Sequence, residues 1–432
     1  MHASRQAETV EQALARRRAA VAEAWEPADS VVLIGAGEPI HRPGRADVTY
    51  RFEAHTEYLY LTDRNQPYGV LAFDPQEGWV DFVAPITAED RLWSGAPAED
   101  PQGPTIDDLE GWLAARSGRS RAWLGSAPAG TQGDLAFTEE LRFGLDRVRR
   151  PKDEIELERM RIAQQATRAA FAVAVDLMRE GVSERQVQVE LEAAAMRSGA
   201  DAMAYDTIVG SGPNSAVLHF APTTRRFVDG DLVLIDAGGE YRGYASDITR
   251  TYPVGGALSS LQQELYEVVH ASQTAAIRAC RPGIEWRDVH RTAALKIAEG
   301  LVGHGLLRGQ PDALLEAGAI WLFFPHGVGH LVGLGVRDAG GPLAERRHDP
   351  KPYPNLRIDL PLEAGMVVTV EPGVYFVPAI LGDPENRRRY RDQVDWELVD
   401  KRLDFGGIRL EENVLITRDG PEVITSDVPL LG

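Results

Sequence analysis

Along this chain the clearest signals are apolar runs that stop abruptly at a carboxylate. Leu232-Val233-Leu234-Ile235, closed by Asp236-Ala237-Gly238-Gly239, reads as a buried strand bounded by a turn. After a turn through residues 240–244, the segment 245–251 alternates, so that Asp247, Thr249 and Thr251 share one face. Asp236 and Asp247 can therefore face each other across a hairpin. A third strand over 406–416 puts Arg409 and Glu411 on one face and Ile408 and Leu410 on the other. The glycine, apolar and acid positions of 230–238 recur in 365–373, where Glu371 takes the place of Asp236. Such an echo points to two related halves of one domain, each contributing an acid at a strand end.

The first part of the chain reads as strands alternating with helices, with strands at 31–34, 58–61 and 68–73. A boundary falls at Arg149-Arg150-Pro151-Lys152. Beyond it Asp153 can cap a helix carrying Ile155, Ile162, Ala166, Ala170, Val173 and Leu177 on one face, ended by Gly181. No long flexible linker intervenes, so two directly packed domains are expected. Gly35-Ala36-Gly37 lacks the third glycine of a dinucleotide-binding fingerprint, because Ile40 stands there, and it reads as an ordinary tight turn.

Two aspartates facing each other repel and raise a pKa unless cations sit between them. Taken alone, the hairpin reads equally well as a pair of solvated turn aspartates. The echo tips the balance, and the imidazole comes from Pro325-His326-Gly327-Val328-Gly329-His330. The glutamate that a zinc-protease helix needs after its first histidine is replaced by Gly327, and the glycines argue for a strand or turn. One of the two histidines is then a ligand and the other faces substrate. His270, His290 and His304 lie in helix-like segments and read as surface or capping residues. Four carboxylates and one imidazole suffice for two divalent ions, which together lower the pKa of a shared water and polarise a carbonyl. Oxygen-rich ligation favours manganese as first choice, with cobalt or zinc as replacements.

Asp236, Asp247, His330, Glu371 and Glu411 occur in that order within Leu-Ile-Asp-Ala-Gly, Ser-Asp-Ile-Thr-Arg-Thr, His-Gly-x-Gly-His, Val-Glu-Pro-Gly-x-Tyr and Gly-Ile-Arg-Leu-Glu contexts. The set resembles the ligands of the pita-bread metallopeptidases, the group holding methionine aminopeptidase, aminopeptidase P and prolidase. The resemblance is strong over 151–432. It is weaker over the first part, where it rests on Arg51-Phe52 and on Glu57-Tyr58-Leu59-Tyr60-Leu61-Thr62. It implies an α/β amino-terminal domain (1–150) of the creatinase and aminopeptidase P kind, then an α+β pita-bread catalytic domain (151–432) with an internal pseudo-two-fold repeat.

By the same resemblance Asp236 and Asp247 bridge or chelate, His330 binds one metal, and Glu371 and Glu411 complete the shells. Glu371 also handles the proton. His219 and His326 donate hydrogen bonds to the substrate and the tetrahedral intermediate. Arg409 either anchors the ligand shell through Glu411 or reaches a substrate carboxylate, Tyr205 and Thr249 take outer positions, and Tyr205 is also expected to contact substrate. Trp93 is expected to cap a neighbouring subunit's pocket. One departure stands out: the proline-specific members carry Val-His-Asp after the metal histidine, and this chain has Val336-Arg337-Asp338. Arginine cannot shuttle protons but its planar fork grips carboxylates, so Arg337 is expected to bind one.

With 432 residues, two cores are natural. A net charge of -19 disfavours nucleic acid and anionic membrane as partners. A lone Cys280, a polar amino terminus and the lack of a long apolar run fit a cytoplasmic protein. The expected substrates are short proline-containing peptides, and the expected assembly is a homo-oligomer, with a dimer as first choice. The segment between Glu371 and Glu411, rich in arginine at 387–391, resembles prolidases, so Xaa-Pro dipeptides are the first expectation. Aminopeptidase P, cutting longer Xaa-Pro peptides, is the alternative, because 247–254 and 205–210 look at least as similar to it. A non-catalytic peptide-binding protein, or a metal-free relative such as creatinase, is disfavoured because all five ligands are present.

Overall fold

Four strands form the sheet of the amino-terminal part: β1 (Val31–Gly35), β2 (Val70–Asp74), β3 (Gly78–Phe82) and β4 (Arg121–Gly125), in the order β3-β2-β1-β4. β1 runs parallel to β4 and antiparallel to β2, and β1 and β2 are buried along their whole length. This is a computed structural model that describes residues 8–25, 29–95, 101–126, 135–339, 353 and 355–430. The chain divides into two compact units, 1–149 and 150–432. Among the described residues no helix is long and apolar enough to cross a membrane.

The strand expected at 58–61 is instead a helix, α1 (Thr56–Thr62). Glu57, Tyr58, Tyr60, Leu61 and Thr62 are all buried, so the run carries no polar period to distinguish helix from strand. Its ends decide the matter. His55 accepts the Glu57 N–H, and Asp63, in the left-handed region at φ 56, returns its own N–H to the Leu59 carbonyl.

In the second unit Asp153 caps α2 (Glu154–Asp176) through a capping box with Glu156. The buried stripe of α2 is Met160, Ala163, Ala166, Ala170, Phe171 and Ala174, whereas Ile155, Ile162, Val173 and Leu177 of the expected face are only partly covered. Small alanines lie deepest because they let α2 approach α3 (Glu184–Arg197) and the sheet behind it closely. That sheet consists of β5 (Ile208–Ser211), β6 (Leu232–Ala237) and β7 (Ile248–Pro253), antiparallel with β6 in the middle. The 240–244 turn is itself a small hairpin, Gly239–Tyr241 against Tyr244–Ala245, turning on Arg242 (φ 50) and Gly243 (φ 81) as a two-residue loop of this twist requires.

The second half repeats the plan. α4 (Ser260–Ala279) and α5 (Trp286–Gly303) bury one side against a large apolar cluster. Behind them lie β8 (Val367–Val370), β9 (Gly373–Tyr375), β10 (Gly407–Arg409), β11 (Glu412–Thr417) and β12 (Gly420–Val423). β8 pairs with β11 and β9 with β10, all antiparallel. The expected third strand is thus broken in two, and the break falls at Leu410-Glu411, where the chain changes partners.

Candidate metal centre

Asp236 lies near the end of β6, opposite Thr249 of β7, so Asp247 emerges at the neck of that strand pair. The strands are close there: a Cβ on Gly238 would sit 1.7 Å from the Ser246 carbonyl oxygen, and only glycine fits. Asn413 pins Asp247 from both sides, accepting its N–H at 3.1 Å and donating to its carbonyl at 2.6 Å. Tyr205 sends its hydroxyl between the two carboxylates, 2.7 Å from Asp236 Oδ1 and 2.6 Å from Asp247 Oδ1. Arg409 donates to Asp236 Oδ2 at 2.7 Å.

His330 arrives on an irregular segment laid along β8. Its N–H donates to the Thr369 hydroxyl, its carbonyl accepts the Thr369 N–H, and the Glu371 N–H goes to the Val328 carbonyl. Gly329, at φ +155, permits this, since a Cβ there would lie 2.1 Å from the Thr369 carbonyl oxygen. The ring Nδ1 of His330 faces the Leu331 carbonyl at 3.0 Å. A carbonyl can only accept, so Nδ1 carries the proton and Nε2 offers its lone pair to the cluster. Nε2 lies 3.4 Å from Asp247 Oδ2 and 3.8 Å from Glu371 Oε1.

Glu411 occupies the break between β10 and β11. Its backbone is held by β7, the N–H on the Thr249 carbonyl at 3.0 Å and the carbonyl on Arg250 Nη1 at 2.6 Å. Its Oε2 accepts the Thr249 hydroxyl at 2.7 Å. Ligand atoms of Asp247, His330 and Glu411 lie within 4.8 Å of one another. Asp236 joins them through Tyr205, and Glu371 through His330.

The electrostatics fit a cation. Burial raises the Asp236 carboxyl above its ordinary value, with Asp247 adding to it and Arg409 opposing. Burial also pushes Glu371 up to about 7. Glu411 is raised well above its ordinary value by burial and by Asp247, Glu371 and Asp236. Among the described residues Arg409 is the one guanidinium bonded to these acids, and the single proton of Tyr205 cannot satisfy two carboxylates. Two divalent ions would supply the missing positive charge, and the donor set, oxygen-rich with one imidazole nitrogen, suits them.

The cluster lines a cavity of about 570 Å³. His219, His326, Tyr205, Arg337 and Arg409 line it as well, and His219 and Arg337 are exposed at its mouth. Three expected substrate contacts find other employment. Tyr205 spends its hydroxyl on Asp236 and Asp247. Arg409 is 3% exposed and divides its donors among the Asp236 carboxylate, the Tyr375 hydroxyl at 3.0 Å and the Thr249 hydroxyl at 3.1 Å, so its direct acid partner is Asp236 rather than Glu411, to which the Thr249 hydroxyl donates. His326 points Nδ1 at the Gly327 carbonyl and takes the Tyr375 hydroxyl on Nε2, both at 2.8 Å, which leaves it no spare N–H for substrate. Burial pushes its pKa down to about 3, so it is neutral. Trp93 belongs to the first unit, on the short helix Ala88–Ser94, and is 77% exposed.

Sequence reading missed Tyr375, Asn413 and His290. Tyr375 closes the Val-Glu-Pro-Gly-x-Tyr motif, a signal that was available. Asn413 follows Glu411 by two residues, the spacing of one strand face. His290 is buried instead of capping or exposed: it stacks on Trp321 and accepts the Val328 N–H at 3.1 Å, supporting the loop that carries His330. Arg185 and Arg357 join Arg337 on the cavity wall.

Residues 158–418 match metallopeptidase family M24, and residues 14–105 match the aminopeptidase P, N-terminal domain. A probable Xaa-Pro aminopeptidase (pepP) of Aspergillus fumigatus is 32% identical over 402 residues, covering 87% of this chain and 85% of that protein. A probable Xaa-Pro aminopeptidase of Fusarium vanettenii is 33% identical, with the same two coverages. Among solved structures, Pseudomonas aeruginosa aminopeptidase PepP superimposes with a TM-score of 0.80 at 30% identity. Zinc-substituted Escherichia coli aminopeptidase P in complex with product does so at 0.81 and 29%. Each of these two comparisons covers 98% of this chain and 97% of the other.

Proposed function

The chain belongs to metallopeptidase family M24, with an aminopeptidase P-type amino-terminal domain and a pita-bread catalytic domain, and on that premise we propose that it is a dinuclear-metal Xaa-Pro aminopeptidase. It releases the first residue from peptides whose second residue is proline. The observation that carries this reading is the buried cluster of Asp236, Asp247, His330, Glu371 and Glu411 at the wall of a cavity in the size range of small-ligand pockets, roughly 300–1,000 Å³. Relatives named Xaa-Pro aminopeptidase over most of their length move the preference from dipeptides, the first expectation, to longer peptides.

Those five residues would hold the two ions, with manganese the first choice and cobalt or zinc as replacements. Bound there, the ions supply an activated water and a Lewis acid for the scissile carbonyl. The protein's own groups do the rest. Glu371, at the cavity wall beside the other ligands, would take the proton of the attacking water and later return it to the departing amine. Tyr205 and Arg409 hold Asp236 in place, and Asn413 holds Asp247. His326, kept neutral and tied to Tyr375, shapes the wall beside Glu371, whose Oε2 lies 3.8 Å from its Nδ1. His219 is placed to donate to the peptide. Arg337, with Arg357, presents a carboxylate-binding edge at the mouth.

The test is turnover of a Xaa-Pro dipeptide against a Xaa-Pro tripeptide with added manganese. The tripeptide is expected to be the better substrate by kcat/KM. A strong dipeptide preference would restore the prolidase reading, and no turnover of either would sink both.

A further inference from the structure

A carboxylate outside the metal cluster organises the cavity wall. Glu184 opens α3 directly after its N-cap Ser183 and is fully buried. Oε1 accepts the Ser211 N–H at 3.0 Å, the Ser211 hydroxyl at 2.7 Å and the Asn214 amide at 2.8 Å. Oε2 accepts the Thr223 N–H at 3.0 Å and the Thr223 hydroxyl at 2.6 Å. Five donors saturate a carboxylate, and they come from both ends of one loop. Burial alone would raise this acid, but the bonds from Thr223, Asn214 and Ser211 outweigh burial and hold it below its ordinary value.

The first turn of α3 adds to the grip. The N–H groups of Glu184 and Arg185, which a helix start leaves without internal partners, donate to the Arg225 and Thr223 carbonyls at 3.1 and 2.9 Å. The Arg185 guanidinium reaches the Pro222 carbonyl at 2.8 Å. Arg225 donates to the Ser211 hydroxyl at 2.6 Å and pairs with Asp231. Between the clamped ends the loop contributes Leu218, His219, Phe220, Ala221 and Pro222 to the cavity. None of the bonds made by the Glu184 carboxylate goes to a metal-binding residue.

We propose that Glu184 is a positioning residue for substrate binding: by clamping residues 211 and 223 it sets the wall that carries His219, without acting on the metal site. The inference rests on the peptidase reading above. In Glu184→Gln an amide nitrogen replaces one oxygen and confronts N–H and O–H donors, so the clamp opens on one side.

The experiment compares the manganese-loaded wild type with Glu184→Gln, with the milder Thr223→Val, and with Ser183→Ala, which removes only the helix cap to the Gln186 N–H. For a Xaa-Pro tripeptide, KM is expected to rise about tenfold in Glu184→Gln and by less in Thr223→Val, with kcat within about threefold of wild type. Metal content stays unchanged, and amide hydrogen exchange quickens at Ser211 and Thr223. Ser183→Ala leaves KM alone. An unchanged KM, exchange that rises evenly along α3, or a Ser183→Ala enzyme that reproduces the KM rise would each overturn the proposal. If the wild type does not cleave the peptide, the functional reading fails, while the exchange comparison still stands or falls by itself on the clamp.

Discussion

The Arg409 guanidinium donates to the Asp236 carboxylate at 2.7 Å across 173 residues of chain, and both groups are buried. Among the described residues it is the one guanidinium bonded within a cluster of four acids. In Arg409→Met, stripped of metal, Asp236 loses the guanidinium bonded to it, and breaking a buried pair costs about 3–5 kcal/mol. The metal-free variant should therefore unfold at markedly lower temperature than metal-free wild type, and added manganese should recover much of the difference. Calorimetry with and without manganese checks this; equal melting temperatures for the two metal-free proteins would remove the charge-balancing role from Arg409.

Asp247→Asn keeps the shape of a central ligand and removes its charge. Metal content should drop below two ions per chain, and turnover should fall by at least about 100-fold, the upper range for loss of a mere supporting contact. Elemental analysis and peptide kinetics measure the two effects separately.

In the metal-free protein Glu371 should favour the folded state in mild acid. Glu371 has a folded-state pKa of about 7 against an ordinary 4.5, so between those values the folded state binds more protons than the unfolded state. Stability from this group is full below the unfolded value and is lost as pH rises through about 7, an effect on the order of 3 kcal/mol. The buried neutral imidazoles of His290 and His326 work in the opposite direction, since burial pushes both down to about 3, so the Glu371 contribution is read by comparison with Glu371→Gln. From pH 6 to pH 8 chelator-treated wild type should lose stability relative to chelator-treated Glu371→Gln, and manganese should remove that difference in slope and release protons as it binds; parallel pH profiles for the two metal-free proteins would contradict the assignment.

Gly329→Ala places a methyl 2.1 Å from the Thr369 carbonyl oxygen, at a φ of +155 that side chains avoid. The His330 segment must lift off β8. Metal affinity should fall by about tenfold or more, because a ligand displaced by a fraction of an ångström no longer fits the shell. Isothermal titration with manganese gives the number, and wild-type affinity would show the backbone there to be tolerant.

In the first unit, Asp74 is buried and accepts from Arg116 Nε at 2.6 Å, Arg119 Nη1 at 2.8 Å and the Gln76 N–H at 2.8 Å. Asp74→Ala removes the buried acid that two arginines share, leaving Arg116 with Glu77 and Arg119 with Asp29, and should cost about 1–3 kcal/mol in the transition that reports this unit, with metal content unchanged. Urea unfolding followed by tryptophan fluorescence, alongside elemental analysis, checks both halves of that statement.

Local chemistry already dictates much of this protein. A period of two puts Thr249 and Thr251 on one face of β7, and the cap at Asp153 and the recurrence of 230–238 at 365–373 are equally local, whereas Glu411 sits in the break after β10, where that period stops. Where a stretch has no period, that logic fails, and Tyr58-Leu59-Tyr60-Leu61 became a helix because of what His55 and Asp63 do at its ends. The division of labour inside the site was also beyond local rules. Arg409, Tyr205 and His326 carry donors that could serve a substrate or a neighbour, and only the meeting of strands more than 150 residues apart put Asp236 and Thr249 beside Arg409. Hydrogen bonds are short-ranged and saturable, so a side chain's role follows from which partner the closed fold brings within 3 Å, and chain order alone cannot supply that distance.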